Sequence, residues 1–157
     1  MLPRIPYAPD FKAFSQAGRK LADLHLNYET VEPWPVQEDA KPKGDLNDLA
    51  YYRVEKMRFA SLGGRNKDKS VIIFNSRITL RGIPLQAYDY VVNGKSAIEW
   101  VMERYQVSTD KDSGIKDDPN DWCREHNDPA YILNLVKRVI RVSVETVKIV
   151  GGLPSIQ

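Results

Sequence analysis

Between Ile132 and Ile149, aliphatic side chains fall on nearly every side of a helix, among them Leu135, Val136, Val139, Ile140, Val142, Val144 and Val147. A surface helix shows one apolar stripe. A helix apolar over most of its circumference needs neighbours on several sides. This last helix must therefore lie centrally in the core or against another domain, and the rest of the chain must wrap it. Asp128-Pro129 predicts its start, with an acidic N-cap and proline at the first helical position. It runs to about Val150, and Gly151-Gly152 with Pro154 stops it. A chain of 157 residues defaults to one domain. At that size folding buries roughly 70% of the unfolded surface, enough for a core without disulfides or metal.

Other elements follow from local signals. MLPRIPYAPD reads as an extended, proline-punctuated arm. A helix is predicted from Phe11 to Tyr28, capped by Asp10, with Phe11, Phe14, Ala17, Leu21, Leu24 and Tyr28 as its buried stripe. Gly18 on that face would admit a close neighbour. Residues 31–50 hold three prolines and scattered charges and are expected to be a linker loop. Strands are predicted over Tyr51–Ala60, Lys69–Phe74 and Arg77–Leu80, with Ser61–Lys67 as a Gly-Gly loop and Asn75-Ser76 as a turn. Pro84–Tyr90 reads as a helical turn. Ser96 and Glu99 form a capping box for a helix over Ala97–Tyr105, on which Trp100 is expected in the core. Gln106–Asp118 is polar loop, and Asp118-Pro119 starts a short helix. The fold class is α+β, a small antiparallel sheet over 51–81 packed by three or four helices, with the long C-terminal helix central.

Charge is segregated. Arg53 to Arg81 carries eight cations against two acids, a net of +6, while the whole chain carries +2. Residues 106–131 hold seven acids against three cations. Such segregation favours an oriented partner. A basic hairpin with a basic tip suits a phosphate backbone. On that reading Lys56, Arg58, Lys69, Arg77 and Arg81 anchor phosphates. Arg65, Asn66 and Lys67 have the chemistry to reach base edges. The competing reading is an edge hairpin whose charges prevent aggregation.

Several chemistries are disfavoured by spacing. Gly94-Lys95-Ser96 resembles the end of a phosphate-binding loop, but Asp89 stands where its first glycine belongs. TDKDSG hints at calcium, yet Gly114 occupies the fifth position and Ile115 the sixth, where Asp or Asn and then Gly are wanted. The acids from Asp110 to Asp121 therefore read as turn and cap residues, with a magnesium nuclease site as the weaker alternative. His25 and His126 lack partners at metal-binding spacing and read as packed or surface residues. Cys123 is the only cysteine, which excludes an intrachain disulfide and fits a reducing cytoplasm. No signal peptide or membrane span is expected.

The segments LPRIPYAPDFKAFSQAGRKLADLHLNYE, YRVEKMRF, YDYVVNGKSAIEWVMERYQV and TDKDSGIKDDPNDW, with the last helix, resemble the C-terminal specificity region of Type ISP restriction–modification enzymes. In that family a nuclease, a DEAD/DEAH-type motor and an adenine methyltransferase precede the target-recognition region. The resemblance implies a sequence-specific double-stranded DNA recognition module, a fragment of the larger enzyme. The methyltransferase and helicase parts would be its partners. Walker A, DEAD/DEAH, N-P-P-Y and S-adenosylmethionine-loop motifs do not occur, so no catalysis, cofactor or metal is expected of this chain. The expected organisation is an N-terminal arm and helix over 1–30, a linker over 31–50 and a recognition module over 51–157. The arm and first helix would dock on the methyltransferase part. A structural module that docks on the parent enzyme without reading DNA is the alternative.

Overall fold

The structure is a computed structural model that describes residues 10–152, with side chains from residue 15 onward. The expected arm lies outside the described residues, and so do the side chains of Asp10, Phe11 and Phe14. The fold is α+β. Helix α1 spans Asp10–Leu26 and α2 spans Asp48–Tyr52. Strands β1 (Gln37–Ala40), β2 (Arg58–Gly63), β3 (Asn66–Ile73) and β4 (Ile78–Arg81) form an antiparallel sheet in the order β1-β4-β3-β2. A 3-10 turn at Leu85–Asp89 leads to the small hairpin β5–β6 (Val91–Val92, Lys95–Ser96) and helix α3 (Ala97–Arg104). A second small hairpin, β7–β8 (Ser108–Thr109, Lys116–Asp117), precedes α4 (Asn120–Glu125) and the long α5 (Tyr131–Gly151).

Helix α5 is central, as its apolar circumference requires. Ile132, Leu133, Leu135, Val136, Ile140 and Val144 are all buried on it. It packs against α1, α3, α4 and the 3-10 turn. Its apolar residues share one core with Ile72, Phe74, Ile78 and Leu80 of the sheet region. The Ser96 cap is present: its hydroxyl oxygen accepts from the Glu99 backbone N–H (3.2 Å), and its O–H donates to the Glu99 carboxylate (2.8 Å).

Several local expectations are corrected. The segment 31–50 is not all loop, because Gln37–Ala40 pairs along β4 as an edge strand. Its four residues are all exposed, so no hydrophobic alternation marked it. Beyond the backbone ladder, two ion pairs join it to its neighbours: Glu38 meets Lys137 of α5, and Asp39 meets Arg81 of β4. The strand expected from Tyr51 begins only at Arg58. Tyr51 and Tyr52 close α2, whose first turn is capped by the Asn47 carboxamide oxygen accepting from Ala50 N–H at 2.8 Å. The expected loop at 61–67 shrinks to Gly64-Arg65, since Gly63 pairs with Asn66. Gly64 at φ +58° supplies the left-handed backbone that such a tight turn needs. The polar stretch 106–118 holds the hairpin β7–β8. Helix α5 starts at Tyr131 with no side-chain cap, after the Asp128 carbonyl accepts from Tyr131 N–H. Gly18 is exposed, and among the described residues nothing approaches it closely. Trp100 is 40% exposed. Its indole N–H donates to the Val92 carbonyl at 2.6 Å, and Lys95 lies over its ring at 4.7 Å, which fixes it at the surface.

Candidate nucleic-acid interface

The two faces of the main sheet differ sharply. One register row runs Glu38, Leu80, Ile72, Phe59 across β1, β4, β3 and β2. Ile72 and Leu80 in it are fully buried. The adjacent row runs Asp39, Thr79, Ile73, Arg58, and it lies on the open face. Alternation along strands puts these rows on opposite faces. Two shallow clefts of about 620 and 540 Å³ flank the open row and share Arg58, Ile73, Asn75, Ser76 and Arg77 as walls.

The eight predicted contact residues do not form one surface. Arg58, Arg77 and Arg81 are brought to the open sheet face and its rim. Lys56 stands exposed just before β2, where it lines both the larger open cleft and a groove beside α3. Arg65, Asn66 and Lys67 sit together at the exposed hairpin tip. Lys69 goes elsewhere. Its ammonium is 3.5 Å from Glu99 of α3 and lies over the rings of Phe59 and Tyr88. The cause is an irregularity in pairing: Phe59 pairs with Ile72, but Ala60 pairs with Asp68. The extra residues on β3 break the period-two alternation and turn Lys69 toward the helices. Arg81 is held by Asp39. Lys56, Arg58, Arg65 and Lys67 form no ion pair among the described residues.

Two asparagines and one aspartate hold this face in place; the sequence placed Asn75 in a turn and Asp118 at a helix start, but not their long-range partners. The Asn75 amide N–H groups donate to the carbonyls of Tyr51 (3.0 Å) and Arg53 (3.1 Å). Its carboxamide oxygen accepts from the backbone N–H groups of Arg77 and Ile78, each at 2.8 Å. One side chain thus ties the end of α2 to the β3–β4 turn and positions Arg77. An Asn in a turn was the only signal, and its long-range partners were invisible. Asn75→Ala is expected to cost about 2–4 kcal/mol, since several half-buried backbone groups lose partners at once. Urea unfolding would check it.

Asn120 performs a similar task for the approach to β2. Its amide donates to the Val54 carbonyl (2.6 Å), and its oxygen accepts from Val54 N–H (3.0 Å). Beside it, Arg53 donates to the Asp118 carboxylate at 2.8 Å. Burial pushes the Asp118 carboxyl up, but hydrogen bonds from Asn120 and Arg53 outweigh it and hold the group below its ordinary value. A carboxyl depressed in the folded state contributes stability above its unfolded value of 3.8, and this is lost as pH falls through the lower folded value. Asp118→Asn should therefore be less stable than wild type at pH 7, with the gap closing on acidification below about pH 4. Urea midpoints measured from pH 7 down to pH 2 would show it.

A different surface is apolar. His25, Tyr28, Tyr90, Val92, Trp100 and Val101 line a mostly apolar cleft between α1, the β5–β6 hairpin, α3 and α5. The Tyr90 hydroxyl meets His25 Nε2 at 2.9 Å across it. In the β7–β8 hairpin Asp110 and Asp112 belong to the turn, with the Asp110 carboxylate accepting from Asp112 N–H, while Asp117 pairs with Ser108 on the strands. Among the described residues, no three His, Cys, Asp or Glu side chains are grouped to hold a metal ion. No described helix is long and apolar enough to cross a membrane. Cys123 is buried, and burial pushes its thiol up.

The model of the Type ISP C-terminal specificity domain family matches residues 1–135. The chain belongs to this family. The specificity domain also resembles solved structures along its whole length. One is a nuclease-deletion mutant of the Type ISP restriction-modification enzyme LlaGI in complex with a DNA substrate mimic, at 43% identity and TM-score 0.79. Another is the ATP-dependent Type ISP restriction-modification enzyme LlaBIII bound to DNA, at 42% identity and TM-score 0.79. A third is the DrdV–DNA complex, at 31% identity and TM-score 0.70. Each match covers 99% of this chain but only 14%, 9% and 15% of the respective relative. The specificity domain thus corresponds to a small part of each of these larger proteins. No curated protein sequence matches it.

Proposed function

We propose that this specificity domain recognises double-stranded DNA sequence-specifically, in the cytoplasm, without catalysis of its own. One observation carries the reading: the open sheet face and hairpin tip gather exposed cations, in a fold shared with enzymes solved on DNA. Lys56, Arg58 and Arg77 would anchor phosphates. Lys69 and Arg81, held by Glu99 and Asp39, would add to the positive field rather than grip the backbone. Arg65, Asn66 and Lys67 at the tip would lie near base edges.

The test is selection from a randomised duplex pool with the purified chain, followed by salt titration of the winners. An enriched asymmetric motif with steep salt dependence supports the reading. Arg65→Ala should then relax preference at one motif position by about 1–3 kcal/mol and leave the others unchanged. Weak binding without enrichment would move the alternative ahead, in which the domain docks on the methyltransferase or helicase part of a larger enzyme. The exposed apolar cleft around Val92 and Trp100 favours that second reading as the docking face, with α1 forming one wall.

A further inference from the structure

The geometry points to Asp39 as a base-reading residue, held in place by Arg81, that accepts a hydrogen bond from an exocyclic amino group of cytosine or adenine. This rests on the DNA-recognition reading above and deepens it. Asp39 is the one acid in the open register row that ends in Arg58. It lines a cleft with Lys41, Arg58, Arg77, Asn75 and Ser76. A carboxylate there repels phosphate and weakens non-specific attraction, so it works against a face that only holds the backbone. For base edges the balance reverses. A carboxylate accepts from the cytosine N4 amino group, which arginine and lysine cannot do.

The local contacts suit that role. The Arg81 Nε–H meets Asp39 through Oδ2, and no other donor reaches Asp39 among the described residues. An ionised carboxylate offers about four acceptor directions, so Arg81 leaves Oδ1 free. The Asp39 side chain remains 47% exposed, open to a ligand. The row from Asp39 to Arg58 crosses three strand spacings, about 14 Å. Between them, Thr79 and Ile73 carry methyl groups of the kind that contact thymine. Arg81 is then a positioning residue for Asp39.

The experiment compares wild type, Asp39→Ala and Arg81→Gln in the randomised-pool selection, with affinity for an unrelated duplex and urea stability measured alongside. Both variants alter half-exposed side chains, Asp39 on the edge strand β1 and Arg81 at the end of β4, and should fold. Asp39→Ala is expected to lose about tenfold or more of the preference at one cytosine or adenine position, with affinity for the unrelated duplex equal or tighter. Arg81→Gln should weaken preference at that same position and at no other. Duplexes lacking the amino group, with pyrimidin-2-one for cytosine or purine for adenine, separate the two bases. Wild type should lose affinity for the matching analogue, and Asp39→Ala should be indifferent to it. Full retention of preference in Asp39→Ala would make the Asp39–Arg81 contact a plain cross-strand ion pair and overturn the proposal. Wild-type binding without any sequence preference would overturn it while leaving DNA binding intact. Absence of wild-type binding to any duplex would overturn both.

Discussion

Phe74→Ala is expected to lower the free energy of unfolding by about 3–5 kcal/mol. Phe74 is fully buried and follows directly on β3. It sits in the core shared with α5, where deleting an aromatic ring removes burial and leaves a cavity. Its backbone N–H also donates to the Ile78 carbonyl at 3.0 Å, closing the turn that carries Asn75, Ser76 and Arg77. Core packing therefore sets the shape of the open face from beneath. Urea unfolding followed by tryptophan fluorescence would measure the loss. Leu62→Ala, at a site 66% exposed on β2 of the same sheet, should change stability by no more than about 0.5 kcal/mol. A Phe74→Ala loss below about 1 kcal/mol would contradict the packing described.

The second large effect is on binding. Replacing both Lys56 and Arg58 by alanine should flatten the dependence of log K on log salt by about 1.8, because each lost phosphate contact removes about 0.9 from the slope. Affinity should fall for every duplex alike, since phosphates carry no base information. Both residues are exposed and unpaired among the described residues, so the urea midpoint should not move. Arg81→Ala offers a contrast. Its guanidinium is already held by Asp39, so its loss should alter the slope less than either free cation. An unchanged slope in the double variant would remove this face from the proposal.

Much of the framework was legible because its causes are local. The aliphatic residues of α5 require neighbours on several sides wherever they fold. Ser96 and Glu99 cap α3 through atoms three residues apart. Strand β4 was legible as a short apolar alternation over Arg77–Leu80, within one residue of its observed span. Strand β1 was not, because an exposed edge strand of Gln, Glu, Asp and Ala resembles a loop until β4 lies beside it. Trp100 was misplaced because helical spacing gives a residue's face but not whether a neighbour covers it. A backbone carbonyl and a lysine from the β5–β6 hairpin hold it at the surface instead.

The candidate site divides in the same way. The sequence by itself determined that cations concentrate between Arg53 and Arg81, around a glycine turn and on extended segments, since composition and short-range backbone preference need no tertiary contacts. It also carried the family resemblance that the specificity-domain match later showed. Only the tertiary structure decided which cations share a face. The irregular β2–β3 pairing broke the alternation and sent Lys69 to Glu99. The β1–β4 register brought Asp39 to Arg81 across 42 residues. Asn75 and Asn120 fixed the rim through bonds to backbone far along the chain. Such partnerships depend on register and packing, which arise from long-range burial and leave no periodic trace in the order of the residues.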